Sequence, residues 1–178
     1  MATTLQEEKW RRLFNAKDFN KKGYVSTGDF ARWGEIATKN AGLEYTDELR
    51  GYWVAAGQTY YGATKSYDEW REHIMAFKTN HPKDYIDLSK SINTTLFKGF
   101  DTNGDGVVSL KEYKAFVSPL FPGLTDEDVK FAFDMIDENG DGVLSEDEIA
   151  LALAHYYWDE EDTKYKHFYG RFEGEGKK

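Results

Sequence analysis

The chain has 178 residues, contains no cysteine and carries a formal net charge of −9. The lack of cysteine excludes a disulfide framework, a thiolate zinc site and a cysteine nucleophile. An acidic chain without a basic block is a poor match for nucleic acid or an anionic membrane and suits cation binding. No apolar stretch approaches the roughly 18 residues of a membrane helix. The first residues show no signal-peptide core, and Ala2 replaces the Gly of a myristoylation signal, so we expect no membrane anchor and a cytoplasmic location.

The predicted helices begin at recognisable capping patterns. A Ser or Thr followed three residues later by Glu occurs at residues 4–7 and 66–69, and apolar residues at helical spacing follow both. Thr125 opens a further helix whose first turn is acidic. Pro82 disfavours helix at the residue before it and predicts a short linker near 79–83. Lys9 belongs to a small basic cluster that we expect on a helix surface.

Two segments that start 36 residues apart repeat one pattern, at residues 101–112 and 137–148. Both match D-x-[DN]-x-[DN]-G-x₅-E, the EF-hand calcium loop, at every defined position. Ca²⁺ takes six to eight oxygens, which such a loop supplies from positions 1, 3, 5, 7 and 9 and from a bidentate Glu at 12. The predicted metal ligands are Asp101, Asn103, Asp105, the Val107 carbonyl, Ser109 and Glu112, and likewise Asp137, Asn139, Asp141, the Val143 carbonyl, Ser145 and Glu148.

Apolar residues flank both loops, as a pair of EF-hands requires. Val108 and Leu144, at position 8 of their loops, are predicted to pair across a short β link. The flanking residues expected in the core are Phe97, Phe100, Tyr113, Phe133, Ile136 and Ile149.

A third copy of the loop, at residues 18–29, departs from the pattern. Its candidate metal ligands are Asp18, Asn20, the Tyr24 carbonyl, Ser26 and Asp29. Position 5 is Lys22, which cannot ligate a metal, and position 12 is an Asp, which is shorter than Glu and suits the six-coordinate demand of Mg²⁺. Ca²⁺, Mg²⁺ and no ion at all remain open for this loop, so we expect two or three bound ions.

A fourth hand is expected because EF-hands bury their apolar faces in pairs. Helices at about 46–57 and 66–78 flank a loop at about 58–69 whose positions 1, 3 and 6 are Gln58, Tyr60 and Ala63, so that its ligand set is lost. The predicted fold is all-α, with four EF-hand units in two pairs joined by short β links. Residues 1–78 form the N-terminal pair, and residues 84–178 form the C-terminal pair with a C-terminal tail.

Nearly the whole chain resembles the invertebrate sarcoplasmic calcium-binding proteins and their relatives calexcitin, the luciferin-binding proteins and the calcium-regulated photoproteins. A degenerate second hand, the run at 18–21 with Asp29 closing the loop, and the aromatic-Gly ending at 166–170 are similar to features of that family. The resemblance implies a compact body in which the two hand pairs pack their apolar faces together.

Three functions follow from the resemblance, and we expect that the protein is not an enzyme. The first is a calcium or calcium/magnesium buffer, monomeric and with metal ions as its ligands. The second is a calexcitin-type sensor, but sensors expose Met-rich grooves, and only Met75 and Met135 follow the initiator. A protein partner is left open.

The third function is a photoprotein or luciferin carrier, which the run at 155–158, His-Tyr-Tyr-Trp, invites. Alignment on Glu148 puts Leu153 where photoproteins carry a His, and His155 falls two residues late. We therefore expect the last helix to pack into the core through Leu151, Ala154, Tyr157 and Trp158.

Overall fold

A computed structural model describes residues 2–172 of the chain, so that residues 173–178 of the predicted tail lie outside the described residues. The helices and strands, in chain order, are α1 (Thr4–Lys17), β1 (Tyr24–Val25), α2 (Thr27–Ala41), α3 (Asp47–Tyr61), β2 (Lys65–Ser66), α4 (Tyr67–Asn80), α5 (Tyr85–Phe100), α6 (Leu110–Val117), α7 (Asp126–Ile136) and α8 (Glu146–Trp158). A 3-10 helix, Lys164–His167, follows α8. No helix within residues 2–172 is long and apolar enough to cross a bilayer.

The helix starts show where local sequence decides the structure. Ser66 and Thr125 cap α4 and α7 as predicted. The first capping box lies one residue earlier than predicted, because Thr3, not Thr4, is the cap and Gln6 is its partner. The side-chain amide of Gln6 also donates to the Trp158 carbonyl at 2.9 Å, a distant contact that selects this register.

The hands form two pairs, each joined by a short antiparallel link. In the first pair Tyr24 lies opposite Ser66, and in the second Val108 bridges Leu144 with two hydrogen bonds of 2.8 Å. The all-α class and the β links are confirmed. The chain breaks between Asn80 and Tyr85 as Pro82 predicts. The division into residues 1–78 and 84–178 stays a prediction, since one buried core includes residues from both parts.

The core is built around tryptophans that are fully buried. Trp53 of α3 lies between two glycines, because a Cβ added to Gly34 would be 2.3 Å from its ring and one added to Gly99 would be 2.9 Å away. Trp33 donates from Nε1 to the Phe116 carbonyl at 2.8 Å, which ties α2 to α6. Helices of both hand pairs therefore pack directly against each other through close aromatic contacts.

The end of the described chain packs back onto the body. Phe168 and Tyr169 are buried, and the Tyr113 hydroxyl donates to the Phe168 carbonyl. The last helix is buried on more than one side, and its burial differs from the prediction at one position: Leu151 is only half-buried, whereas Leu153 is fully buried. The other three predicted core residues of this helix, Ala154, Tyr157 and Trp158, are buried.

The expected surface position of Lys9 is wrong. This side chain is 1% exposed, and its ammonium donates to the Asp159 carbonyl at 2.9 Å. Burial lowers the pKa of Lys9 to about 8. Its neighbour Arg11 is exposed, although its guanidinium lies 3.9 Å from the centre of the Tyr67 ring.

Candidate metal centres

Three of the four loops share one backbone frame. In each, the position-1 carboxylate accepts the N–H of the glycine at position 6, which stands in the left-handed region where a side chain would be strained. The three pairs are Asp18 with Gly23 (2.7 Å, φ 81°), Asp101 with Gly106 (2.9 Å, φ 89°) and Asp137 with Gly142 (3.0 Å, φ 85°). The frame therefore forms wherever Asp and Gly keep this spacing.

Hydrogen bonds within the loop at 101–112 hold its predicted side-chain ligands. Asn103 donates from Nδ2 to Asp105 at 2.9 Å. Glu112 is 6% exposed, and its carboxylate accepts the N–H groups of Thr102 at 3.2 Å and Ser109 at 3.0 Å. This Glu therefore connects the beginning of the loop to the start of α6.

The loop at 137–148 repeats this arrangement. Asn139 donates to Asp141 at 2.9 Å, and the Glu148 carboxylate accepts the N–H groups of Glu138 at 3.0 Å and Ser145 at 2.8 Å. The two loops bring their predicted ligands together in the same way, because the same residues occupy the same positions.

The donor chemistry of these two loops fits a hard divalent cation. Each supplies three carboxylates, an amide oxygen, a hydroxyl and a backbone carbonyl, which is the oxygen set that Ca²⁺ requires. Among residues 2–172 no three His, Cys, Asp or Glu side chains already form a preformed metal cluster. The carboxylates also accept the loops' own N–H groups, and because each has about four lone-pair sites, it can keep these contacts and still ligate an ion.

The loop at 18–29 has a different occupant at its centre. The Lys22 ammonium lies 3.1 Å from both Oδ1 and Oδ2 of Asp29, the residue at position 12. Asp29 is 3% exposed and also accepts from the backbone N–H and the hydroxyl of Ser26, at 2.9 and 2.8 Å. As it stands, this donor set does not fit a divalent ion, because a cation already neutralises the closing carboxylate.

The degenerate loop at about 58–69 keeps only the capping part of the pattern. Glu69 accepts the backbone N–H and the hydroxyl of Ser66, both at 2.7 Å, and so starts α4. The structural role of this hand stays a prediction.

The aromatic segment 155–158 does not converge on one site. His155 is half-buried, and its Nδ1 lies 2.8 Å from Oδ1 of Asp159. Its ring stacks on the Tyr165 ring, with the two ring centres 4.7 Å apart. Tyr157 and Trp158 instead line a cleft of about 80 Å³ that also borders Tyr60 of α3. Sites for drug-sized ligands are larger, at about 300–1,000 Å³.

Sequence reasoning missed one contact of the loop at 137–148. Glu138, at position 2, accepts from the Tyr165 hydroxyl at 2.8 Å and forms an ion pair with Lys164. These partners are 26 and 27 residues away along the chain. No local sequence pattern predicts these two contacts, because position 2 of the loop has no role in metal ligation.

Comparisons with known proteins agree with this geometry. An EF-hand domain pair family matches residues 73–118, and an EF-hand family matches residues 129–151. Guanylyl cyclase inhibitory protein of Lithobates pipiens is 35% identical over 62 residues, which are 35% of this chain and 30% of that protein. Luciferin-binding protein of Renilla reniformis is 34% identical over 76 residues, 42% of this chain and 41% of that protein. The chain thus matches less than half the length of these two relatives.

Two solved structures share the fold over almost the whole chain. Coelenterazine-binding protein of Renilla muelleri, in its calcium-loaded apo form, has a TM-score of 0.81 at 22% identity and covers 97% of this chain and 100% of its own. An apoaequorin complex has a TM-score of 0.71 at 20% identity and covers 94% and 91%. Residues 73–118 and 129–151 thus match EF-hand families, the fold of calcium-binding loops, and almost the whole chain shares the fold of these two structures.

Proposed function

We propose that this protein is a calcium buffer that binds two Ca²⁺ ions, through the loops at 101–112 and 137–148. The observation that carries the proposal is the closed core. The apolar faces of the two hand pairs are buried against each other by residues such as Trp33, Trp53 and Phe116. A buffer needs binding sites on a body that changes little, and this packing supplies such a body.

The ligand sets support tight binding. Each of the two loops offers three carboxylates, and affinity in EF-hands rises with ligand charge and with rigidity of the site. Buffer-class sites bind Ca²⁺ with dissociation constants on the order of 10⁻⁹–10⁻⁸ M. The proposed ligands are the residues at positions 1, 3, 5, 7, 9 and 12 of these two loops. Mg²⁺ competition at resting calcium is part of the proposal.

A sensor function has less support from the surface. Among the described residues, two large hydrophobic residues are exposed to solvent: Tyr24, with 40% of its surface accessible, and Leu43, with 41%. Met75 and Met135 are half-buried and lie on different helices, α4 and α7. A groove that adapts to a target helix would need a contiguous apolar surface, which these residues do not form.

Calorimetric titration with Ca²⁺, without and then with Mg²⁺, tests the buffer. We expect two tight equivalents that Mg²⁺ weakens, with no increase in the fluorescence of an apolar dye. Two equivalents accompanied by increased dye binding would instead indicate a sensor. A chain without tight binding would contradict both functions. The cytoplasmic location and the monomeric state are further parts of the proposal, and sedimentation of the calcium-loaded chain checks the latter.

A luciferin carrier is the second candidate. It is supported by the similarity to luciferin-binding protein and coelenterazine-binding protein and by the aromatic cleft beside Tyr157 and Trp158. The volume of this cleft, about 80 Å³, argues against it. Titration with coelenterazine, followed by tryptophan quenching, separates the two: saturable 1:1 binding would favour the carrier, and unsaturable quenching the buffer.

A further inference from the structure

We infer that the first hand is a metal-free EF-hand in which the Lys22 ammonium takes the place of the divalent ion. The inference concerns the loop at 18–29 and goes beyond the proposed function, which assigns only the two C-terminal loops. It predicts an N-terminal hand pair that is folded and closed without any ion.

The first argument is that the loop has the shape of a working site. Lys22 donates its backbone N–H to Asp18 at 2.9 Å, as Asp105 does to Asp101 at 3.1 Å in the loop at 101–112. Lys21, at position 4, has a φ of 50°, in the left-handed region where the two strong loops carry glycine. The backbone therefore follows the calcium-loop path although the side chains at positions 4 and 5 differ.

The second argument is the direction of the position-5 side chain. In the loop at 101–112 the Asp105 carboxylate accepts from Asn103, another predicted ligand. The Lys22 side chain likewise reaches a predicted ligand of its loop, because its ammonium lies at equal distances of 3.1 Å from the two Asp29 oxygens. Position 12 is where a bidentate carboxylate holds Ca²⁺ in an EF-hand. The ammonium thus interacts with the same two oxygens that would close the coordination sphere.

The third argument is charge. Within the twelve residues of this loop, Asp18 and Asp29 are balanced by Lys21 and Lys22. The loop at 101–112 has three acids and one Lys, and the loop at 137–148 has six acids and no basic residue. The side chain of Asp29 is 3% exposed, so its negative charge requires a close partner. Lys22 supplies that partner from within the loop, at an effective concentration that a free ion has to exceed.

The fourth argument is that the degenerate hand at about 58–69, which pairs with this one, has also lost its ligand set. Strand β1 pairs with β2 of the degenerate hand, where Glu69 is the partner of the capping residue Ser66 at the start of α4. Glu7 of α1 accepts from the Tyr67 hydroxyl at 2.7 Å and pairs with Arg71, which joins the outer helices of the two hands. Protein contacts thus join the two hands of this pair.

The test is calorimetry on the full chain with matched charge variants. Wild type is expected to bind two equivalents of Ca²⁺ and Lys22→Asp three, because position 5 then offers a ligand in place of a cation. Lys22→Asp combined with Asp29→Asn returns the count to two. Lys21→Asp makes the same charge change at the exposed neighbouring position, where Asp tolerates positive φ, and is expected to stay at two.

A measurement on the wild type keeps the inference falsifiable if a variant does not fold. The amide of Gly23, which donates to Asp18, is expected to keep its NMR chemical shift during the Ca²⁺ titration, while those of Gly106 and Gly142 move. A Gly23 shift that saturates with Ca²⁺ or Mg²⁺, or a third wild-type equivalent lost in Asp29→Asn, would overturn the inference. A folded Lys22→Asp that still binds two equivalents would overturn it as well. The Gly23 shift reports on the first hand alone, and it is readable whether or not the C-terminal loops behave as proposed.

Discussion

The Tyr165 hydroxyl donates a hydrogen bond of 2.8 Å to Oε1 of Glu138, the second residue of the loop at 137–148. Lys164 pairs with the same carboxylate, and these two contacts, the Lys164 hydrogen bond first, lower the pKa of Glu138. The backbone N–H of Glu138 in turn donates to Glu148 at 3.0 Å. The C-terminal 3-10 helix is thereby connected to the residue that closes the predicted calcium site.

We expect Lys164→Gln to raise the Ca²⁺ affinity of the loop at 137–148. The substitution removes a positive charge beside a loop with six acids, and a partly exposed charge contributes about 0.2–1 kcal/mol, up to about fivefold in affinity. Calorimetry at low salt and at about 0.5 M KCl checks the electrostatic origin, because salt reduces the difference. Lys83→Gln, at an exposed residue outside the loops, is the control. Weaker binding in Lys164→Gln would show that the contact organises the site rather than opposing it by charge.

Glu112→Gln and Glu148→Gln are each expected to remove one tight equivalent of Ca²⁺. The reason is that the bidentate position-12 ligand loses its charge and one oxygen. Glu69→Gln, at the corresponding position of the degenerate hand, is the matched control and is expected to leave the stoichiometry unchanged. If either of the first two variants retained two tight equivalents, the ligand assignment for that loop would be wrong.

Gly34→Ala is expected to destabilise the protein. The added Cβ would lie 2.3 Å from the buried ring of Trp53, and overpacking of a core typically costs about 1–3 kcal/mol. Urea unfolding at saturating Ca²⁺ measures the change. Gly51→Ala on the neighbouring helix α3 meets no atom within 4 Å and is expected to stabilise by about 0.5–1 kcal/mol. Equal effects at the two glycines would contradict the close packing.

The free energy of unfolding is expected to rise between pH 8 and pH 9.5 by a contribution that Lys9→Met removes. Burial lowers the pKa of folded Lys9 to about 8 from an ordinary value of 10.5. Above pH 8 the unfolded state therefore binds more protons than the folded state at this residue, and stability increases with pH by at most about 1.4 kcal/mol per unit. Urea unfolding at fixed Ca²⁺ gives the slope for both chains.

Lys130→Met serves as the control for this pH dependence, because the Lys130 side chain is 61% exposed. Its slope is expected to match that of the wild type. A slope that is identical in Lys9→Met and in the wild type would mean that the buried ammonium does not titrate in this range.

Sequence reasoning succeeds here where a local pattern has one structural solution. The spacing of Asp, Gly and Glu predicts the loop frame, and position 8 predicts the bridge between Val108 and Leu144. The capping box at 66–69 predicts the start of α4 for the same reason: Ser66 and Glu69 satisfy each other without help from distant residues.

It fails where two local solutions compete or where a distant segment decides. Thr3 and Thr4 are equivalent as caps, and the Trp158 carbonyl, reached by Gln6, selects the first. Lys9 looks like a surface residue until the chain after α8 brings the Asp159 carbonyl to it. Lys22 is visibly no ligand, but only its side-chain direction reveals an ion pair with Asp29.

The bridge between Val108 and Leu144 has a consequence for the shape of a calcium titration. Its two hydrogen bonds of 2.8 Å fix the centres of both C-terminal loops at once, so an ion that orders one loop also prepares the other. The second ion is then expected to bind a loop that is already ordered. Its binding costs less conformational entropy, which is positive cooperativity. Such a chain fills both sites over a narrow range of free calcium and takes up ions in pairs.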